Sequence, residues 1–246
     1  MGLAKNTKSA YNSIAREFFE FRATNKAAYN NYLEMPAMPA ALGSVKRKRV
    51  LDIGCGPGFH SAALLRRGSV VYGIDYSKSM IKIAESHVKG AHFTIGSVYH
   101  MPYKSGFFDV AFASYAVEHF TRLEAAFKEI RRVLKKRGAF VFSIRNPFRE
   151  VTHHIPGKPY YIRRFGNYFE EGMQSHIWFR GTKYETNIPF MHRTLQTYVR
   201  TAVKSGFEIA DYIDAKPISA LKKVDKHLYN SMRSMPELSL FKLIAA

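Results

Sequence analysis

The chain has 246 residues, 46% of them hydrophobic and 14% aromatic, which excludes a largely disordered protein and allows one sizeable core with a small appended lobe. No apolar run approaches the ~20 residues that span a bilayer, and the single cysteine, Cys55, cannot form an intrachain disulfide, so we expect a cytoplasmic protein. With 38 Lys and Arg against 19 Asp and Glu, the net charge of +19 would attract nucleic acid, an acidic membrane surface or an anionic substrate, although a solvated basic surface explains it equally well.

The first 45 residues are predicted to be helical. Residues 7–22 place four apolar side chains at roughly helical spacing, and residues 26–42 continue in the same style with interruptions at Pro36 and Pro39. Four consecutive cations at 46–49 then precede the first strand.

From residue 50 onward, predicted strands alternate with predicted helices. The strands are expected at 50–54, 69–75, 91–96, 107–116 and 138–145. The helices between them are expected at 59–68, at 77–90 with Ser77 as N-cap, and at 123–138. Because each strand is apolar along most of its length, we expect a parallel sheet covered on both faces.

The alternation stops at residue 146. Residues 146–190 contain ten aromatic residues and no clear period, which indicates an insertion after the fifth strand. A helix is expected again at 192–206, followed by strands at 207–214 and 238–246.

A glycine-rich turn follows the first strand. In VLDIGCGPG (50–58), Gly54, Gly56 and Gly58 are spaced by two, whereas a dinucleotide site has G-x-G-x-x-G and a Walker A loop requires a following G-K-S/T. The pattern therefore predicts a nucleoside ligand without a phosphate bridge.

Two carboxylates flank this turn. Asp75 ends the next strand, where it is placed to accept hydrogen bonds from both ribose hydroxyls. Asp52 precedes the glycines and suits a ligand with a cationic group such as an ammonium or sulfonium. Taken singly, each residue has a structural explanation: a tight turn for the glycines, a helix cap for Asp75 and hydrogen bonds to nearby amides for Asp52. Their joint spacing on consecutive strands favours a ligand site.

Several motifs, in this order, resemble the class I S-adenosylmethionine-dependent methyltransferases. The segments concerned are DIGCGPG (52–58), YGIDYS (72–77), GSVYHMPY (96–103) with FFDVAFAS (107–114), and IRRVLKKRGAF (130–140). The resemblance covers roughly residues 45–145. It departs from the family at Ser97, where many relatives carry Asp, and at residues 135–138, where Lys-Lys-Arg-Gly stands in place of a Pro-Gly turn.

The resemblance implies an α/β fold, a doubly wound, seven-stranded, mostly parallel sheet whose last strand lies antiparallel beside strand five. It implies a single domain, 1–246, made of an N-terminal helical cap (1–45), a cofactor-binding core (46–145), a lid insertion over the acceptor (146–191) and a C-terminal helix with the last two strands (192–246). It also implies S-adenosylmethionine as cofactor and S-adenosylhomocysteine as product. The residues expected to contact the cofactor are Tyr11, Asp52, Gly54, Cys55, Gly56, Asp75, Tyr76, Met80, Ser97, Val98 and Ser114.

Methyl transfer from a sulfonium is a direct displacement, so the protein mainly aligns the acceptor and excludes water. A general base is needed only when the acceptor must lose a proton. Within SYAVEHF (114–120), Glu118 and His119 lie where related enzymes often have such groups near the acceptor, and His119 is the candidate base. The alternative is that His119 only packs or hydrogen-bonds at the start of the next helix.

The insertion supplies candidate acceptor contacts. Six aromatic residues either line an apolar acceptor pocket or form the lid's own small core: Tyr160, Tyr161, Tyr168, Phe169, Trp178 and Phe179. Five cationic or titratable residues make an acidic acceptor compatible with the sequence: Arg163, Arg164, Arg180, His192 and Arg193. The remaining histidines of the insertion, His153, His154 and His176, lack metal-ligand spacing and are expected to be free surface residues, so no metal is predicted.

The leading hypothesis is a methyltransferase that acts on a small molecule, and an anionic or aromatic acceptor is compatible with the sequence. The second is an RNA methyltransferase, suggested by the charge of +19 but lacking both a separate RNA-binding module and an N-P-P-Y/F motif after the fourth strand. The third is a protein that binds the cofactor without turnover.

Overall fold

The computed structural model describes residues 2–24, 27–155 and 163–246. Its strands, in chain order, are β1 (Arg49–Ile53), β2 (Val70–Asp75), β3 (His92–Ile95), β4 (Phe108–Ala113), β5 (Leu134–Arg145), β6 (Thr152–His154), β7 (Arg163–Phe165), β8 (Gly172–Trp178), β9 (Thr186–His192), β10 (Phe207–Asp214) and β11 (Leu238–Ala245). Seven of them form one sheet in the order β10-β11-β5-β4-β1-β2-β3.

The sheet is parallel from β3 to β5 and antiparallel at its other edge. β11 lies between β5 and β10 and runs antiparallel to both, with Phe241 opposite Phe142 and Tyr212. This is the predicted seven-stranded arrangement, including the assignment of the last two segments of the chain to its final strands.

The helices are α1 (Gly2–Ser13), α2 (Ala15–Arg22), α3 (Met35–Leu42), α4 (Phe59–Arg66), α5 (Lys78–His87), α6 (Leu123–Val133), α7 (Pro147–Glu150), α8 (Leu195–Lys204), α9 (Leu221–Val224) and α10 (Lys226–Ser234). A π-helical turn at Asn30–Glu34 leads into α3, and a 3₁₀ turn at Val117–His119 follows β4. Ser77 caps α5 as predicted, because its hydroxyl accepts a hydrogen bond from the Met80 amide at 3.1 Å. Within the described ranges, none of the helices has both the length and the apolar character that crossing a bilayer requires.

Each face of the sheet packs into its own core because neighbouring strand residues point in opposite directions. Leu51 and Phe142 join the aromatic cluster beneath α6 and α8, whereas their neighbours Val50 and Val141 pack against α3 and α4. Both faces are thus covered, which explains why the central strands are apolar at nearly every position.

The boundary before β5 differs from the prediction. The helix expected to reach residue 138 ends at Val133, because Leu134 is buried and pairs with Phe108 at the edge of β4. The register then shifts to Val110 opposite Ala139, so the Lys-Lys-Arg-Gly segment is a bulge within β5, with Arg137 at φ 60°.

The insertion is more ordered than its composition indicates. It contains two antiparallel pairs, β6 with β7 and β8 with β9. In β8, exposed residues such as Met173 and Ile177 alternate with half-buried ones such as His176 and Trp178. The sequence prediction missed this strand because its half-buried face carries a histidine and a glutamine instead of apolar side chains.

Candidate active site

A cavity of about 690 Å³ lies at the carboxyl ends of β1, β2, β4 and β5. Its other walls come from α1, α2 and the β8–β9 hairpin. Every residue predicted to contact the cofactor lines this cavity, as does the candidate base: Tyr11, Asp52, Gly54, Cys55, Gly56, Asp75, Tyr76, Met80, Ser97, Val98, Ser114 and His119.

The glycine turn is shaped by its backbone. Gly54 has φ +67°, and a Cβ there would lie 2.6 Å from the Cβ of Ala116. Gly56 has φ +52°, but a Cβ there would meet no atom within 4 Å. The first glycine is therefore required for packing, while the second leaves open space against the cavity that a ligand can occupy.

Asp75 joins this turn to the end of β2. Its carboxylate accepts hydrogen bonds from the amides of Gly56 at 2.9 Å and Ser77 at 2.8 Å. Burial raises the pKa of Asp75, and the two amides offset part of that rise. Each oxygen keeps a second lone pair, so the carboxylate can still accept hydrogen bonds from a ligand.

Asp52 lies beneath the turn with 1% of its surface exposed. Its carboxylate accepts a hydrogen bond from the Ser61 hydroxyl at 2.7 Å. Burial raises the pKa of Asp52 to about 6, and the charges of Asp75 and Glu34 add to that rise. This part of the cavity is rich in buried carboxylates, so it suits a cationic group.

Four further predicted cofactor contacts lie near the carboxyl ends of β2 and β3. Tyr76 is 45% exposed, and the Lys8 ammonium lies 4.5 Å from the centre of its ring. The Ser97 hydroxyl accepts a hydrogen bond from the Tyr99 amide at 3.3 Å, and Val98 is half-buried against the core. Met80 is buried against α1 and α2.

Sequence reasoning missed a buried polar cluster made of Arg22, Glu34 and His60. Glu34 is fully buried, its Oε1 lies 2.5 Å from His60 Nε2, and it accepts a hydrogen bond from the Ser114 hydroxyl. Burial works against ionisation of Glu34, but His60, Arg22 and Ser114 together hold its pKa below the ordinary value. Arg22 lines the cavity, and its Nε has no hydrogen-bond partner among the described residues. The only sequence sign was one acid at the start of the apolar segment that forms α3.

His119 connects three separate segments. Its Nδ1 lies 2.9 Å from the carbonyl oxygen of Pro189 in β9, and its Nε2 lies 3.2 Å from the hydroxyl of Tyr11 in α1. A carbonyl oxygen only accepts, so Nδ1 carries a proton, and in the neutral ring Nε2 accepts the hydrogen bond from Tyr11. Burial raises the pKa of Tyr11, and the charges of Glu118 and Asp75 act in the same direction, so the hydroxyl keeps its proton.

Of the four insertion aromatics that the structure describes, two line the cavity. Trp178 and Phe179 do so, and the Trp178 ring lies 5.2 Å from that of Phe18 in α2. Tyr168 stacks on Phe148 at 4.4 Å instead, and Phe169 is 83% exposed. The other two, Tyr160 and Tyr161, lie outside the described residues.

Of the residues proposed for an acidic acceptor, the four whose side chains the structure describes do not line the cavity. His192 and Arg193 are buried, with His192 bound to Glu150 at 2.6 Å and Arg193 donating to the Phe120 carbonyl. Arg164 and Arg180 are exposed, and the Arg163 side chain lies outside what the structure describes.

The expectation that His176 is a free surface residue was wrong. His176 lines the cavity, stacks on Phe190 at 4.1 Å, and lies 2.8 Å from Nη1 of Arg145, the last residue of β5. The alternating pattern of β8 would have indicated this inward direction. His153 is exposed, and the His154 side chain falls outside the described part of the chain. In the ranges that the structure describes, no group of three or more His, Cys, Asp or Glu side chains is placed to hold a metal ion.

The strand order, the glycine turn and the carboxylate at the end of β2 define a methyltransferase fold, and residues 51–142 match the family model described as a methyltransferase domain. That match assigns residues 51–142 to a methyltransferase domain, and together with the shared fold it supports a class I S-adenosylmethionine-dependent methyltransferase with S-adenosylmethionine as methyl donor.

Three relatives show how far the similarity extends. A Haemophilus influenzae protein of uncharacterised function is 29% identical over 212 residues, covering 78% of this chain and 80% of that protein. The malonyl-[acyl-carrier protein] O-methyltransferase of Pseudescherichia vulneris is 33% identical over 104 residues, 42% of this chain and 41% of the relative. The crystal structure of an S-adenosylmethionine-dependent methyltransferase from Mesorhizobium loti shares the fold with a TM-score of 0.73 at 24% identity, over 86% of this chain and 97% of that one. Because this chain spans less than half of the O-methyltransferase, that match does not assign a substrate.

Proposed function

We propose that this protein transfers the methyl group of S-adenosylmethionine to a small molecule held in the cavity beneath the β8–β9 hairpin. The observation that carries the proposal is that all predicted cofactor contacts and the lid aromatics Trp178 and Phe179 line one cavity of about 690 Å³. Small-molecule sites are concave, largely apolar and typically about 300–1,000 Å³. The P. vulneris relative is named for a malonyl group on acyl-carrier protein, which adds support for an acyl group at the methylated end of the acceptor.

The proposed cofactor contacts follow the geometry of the strand ends. Asp75 accepts hydrogen bonds from the ribose, and the open space at Gly56 lets the backbone approach the cofactor. The carboxylate of Asp52 provides negative charge for the cationic amino-acid end, while Tyr76, Ser97 and Val98 contact the adenine side. The remaining proposed contacts are Tyr11, Gly54, Cys55, Met80 and Ser114.

The bound cofactor supplies an electrophilic methyl group on a positively charged sulfur. The chain's own contribution is to position the acceptor and exclude water, which α1, α2 and the β8–β9 hairpin do by covering the strand ends. We therefore assign residues 1–45 as a cap, 146–191 as an acceptor lid, and the whole chain as a single methyltransferase domain.

His119 is the proposed general base for an acceptor that must lose a proton. The hydrogen bond between Tyr11 and His119 defines the route: the acceptor proton passes to the Tyr11 oxygen as the tyrosine proton passes to His119 Nε2. The Pro189 carbonyl, bound to Nδ1, stabilises the cation that forms on His119. An acceptor that is already deprotonated needs no such step.

One experiment tests the function directly. Purified protein is incubated with S-adenosylmethionine labelled on the methyl group and with separate fractions of total RNA, protein and small metabolites. We expect label in the small-metabolite fraction, and none there with Asp75→Asn as a matched control. Cofactor binding with no labelled fraction would favour a protein that binds without turnover.

Label in the RNA fraction would overturn the proposal. RNA is tested because the net charge of +19 makes the surface basic, and a basic surface attracts RNA. We also propose a cytoplasmic location, which is supported by the single, buried cysteine.

A further inference from the structure

Arg145 is a cation that lines the cavity on the side of the β8–β9 hairpin. It lies at the carboxyl end of β5, is half-buried, and lines the cavity with Glu118, His176 and Trp178. Its Nη1 donates to His176 Nε2 at 2.8 Å, since a guanidinium can only donate. This bond connects the core sheet to the lid strand β8.

The groups around the guanidinium do not neutralise it locally. Burial and the charge of Arg145 lower the pKa of His176 to about 3, so its ring stays neutral. Burial keeps the Tyr115 hydroxyl protonated by raising its pKa well above the ordinary value. Glu118 uses one oxygen to accept from the Arg145 backbone amide at 3.2 Å.

The other carboxylates nearby are engaged elsewhere. Glu237 pairs with Arg149 at 2.6 Å, and Glu150 binds His192 at 2.6 Å. Among the residues that the structure describes, no carboxylate oxygen lies within 4 Å of the Arg145 guanidinium. A half-buried arginine in a largely apolar cavity thus has most of its five donors available to a ligand.

We propose that Arg145 binds a carboxylate on the methyl acceptor, so that the substrate class is a small carboxylic acid with an apolar body. This inference rests on the proposed function. The planar guanidinium matches a carboxylate with two parallel hydrogen bonds. The Glu118 carboxylate lines the same cavity, and it repels a doubly charged phosphate more strongly than a singly charged carboxylate. Trp178 and Phe179 provide the apolar wall for the rest of the molecule.

Trp178 provides a binding signal that is independent of turnover. It is the single tryptophan of the chain and it lines the cavity, so its fluorescence reports ligands at the lid. The probes are phenylacetate and octanoate, each compared with its uncharged primary amide of nearly the same shape, in the presence of saturating S-adenosylhomocysteine. The variants are Arg145→Gln, Arg145→Lys and, as matched control, Arg180→Gln on the exposed turn of the same hairpin.

We expect at least one acid to bind the parent protein roughly 10-fold or more tightly than its amide, as for hydrogen bonds to a charged partner. Arg145→Gln should abolish that preference, Arg145→Lys should keep part of it, and Arg180→Gln should leave it unchanged. S-adenosylhomocysteine affinity, measured by calorimetry, should be the same in all four proteins, which shows that the variants fold.

Two results would overturn the inference: acids and amides that bind equally to the parent protein, including no binding by either at about 10 mM, or an acid preference that survives in Arg145→Gln. Either result with intact S-adenosylhomocysteine binding removes only the carboxylate assignment. Failure of the parent protein to bind S-adenosylhomocysteine would instead remove the proposed function.

Discussion

The two sides of the cavity are held together by different kinds of bond. On the side of β1 and β2, the hydrogen bonds come mainly from main-chain amides. The amides of Gly56 and Ser77 donate to Asp75, and the Gly54 amide donates to the Ile74 carbonyl at 2.8 Å. On the lid side, side chains bridge distant segments, as His119 does between α1 and β9.

This difference indicates that cofactor binding and turnover of the acceptor can be altered separately. A main-chain scaffold is rigid and already shaped before a ligand binds, whereas side-chain bridges between α1, β5 and the hairpin can open without disturbing the sheet. Changes on the first side should therefore alter cofactor affinity or folding, and changes on the second should alter turnover at constant cofactor affinity.

The largest effect is expected from Asp75→Asn. An asparagine can accept at one oxygen only, so its amide nitrogen would face the N–H of Gly56 or Ser77, and the ribose would lose a charged acceptor. We expect the dissociation constant of S-adenosylhomocysteine to rise at least about 100-fold, since each hydrogen bond to a charged group contributes about 1.5–3 kcal/mol. Calorimetry measures it. Glu208→Gln, an exposed carboxylate paired with Arg137, is the control and should bind normally.

Gly54→Ala and Gly56→Ala should separate packing from ligand access. Gly54→Ala combines a left-handed backbone with a clash against Ala116, and we expect a loss of about 3 kcal/mol in the free energy of unfolding. Gly56→Ala has only the backbone cost of about 1–2 kcal/mol but places a methyl group in the open space beside the cavity. Urea unfolding and S-adenosylhomocysteine titration check the pair. Equal destabilisation by both variants would contradict the distinction.

His119→Asn tests the lid side. The asparagine amide can keep a donor near the Pro189 carbonyl while it removes the Nε2 that accepts from Tyr11. If the acceptor must lose a proton, kcat should fall roughly 100-fold, with S-adenosylhomocysteine affinity within about threefold of the parent.

Tyr11→Phe distinguishes the proton route from simple packing. It should reduce kcat about as much as His119→Asn, and the double variant should be no worse than either single one, because both residues serve one step. A small, additive effect in these variants would assign His119 to the packing role instead, and it is the expected result if the methylated atom is an ionised carboxylate oxygen.

The contrast between the main-chain side and the side-chain side of the cavity also explains which features could be predicted from the sequence. The seven strands and the residues from Asp52 to Val98 were predictable because a buried parallel sheet requires apolar runs, and because the turn and the carboxylate at the end of β2 follow at short spacing. The pairing of Arg145 with His176 joins residues 31 positions apart and leaves no local pattern.

Two other differences between the predicted and the observed elements depend on which residues pack together in the folded chain. Leu134 follows an unbroken amphipathic pattern, so only its burial opposite Phe108 shows that it begins β5. β8 carries Gln174 and His176 on its half-buried face, which weakens the contrast between apolar and polar positions that usually indicates a strand.

The effect of Asp52→Asn is expected to depend on pH. The buried Asp52 carboxyl keeps its proton up to about pH 6, whereas the unfolded chain releases it near pH 3.8. Between these values the folded state binds more protons, so stability falls as the pH rises from about 4 to about 6, and the loss persists above pH 6. Asparagine cannot ionise. The variant should therefore be about 2 kcal/mol more stable than the parent at pH 8 and equally stable near pH 4, as measured by urea unfolding of the cofactor-free protein.

Asp109→Asn is the control with the opposite sign. Although partial burial acts against it, the bonds from Lys135 and the Arg49 amide hold the pKa of Asp109 below its ordinary value, so its charge stabilises the folded state at pH 8 and that variant should lose stability there. If Asp52 provides negative charge for the cofactor, Asp52→Asn should also bind S-adenosylhomocysteine more weakly, and its advantage at pH 8 should shrink as the ligand is added. A stability difference that does not change between pH 4 and pH 8 would show that Asp52 is already ionised in the folded protein. In that case its charge would be balanced within the chain, and this side of the cavity would not need a cationic ligand.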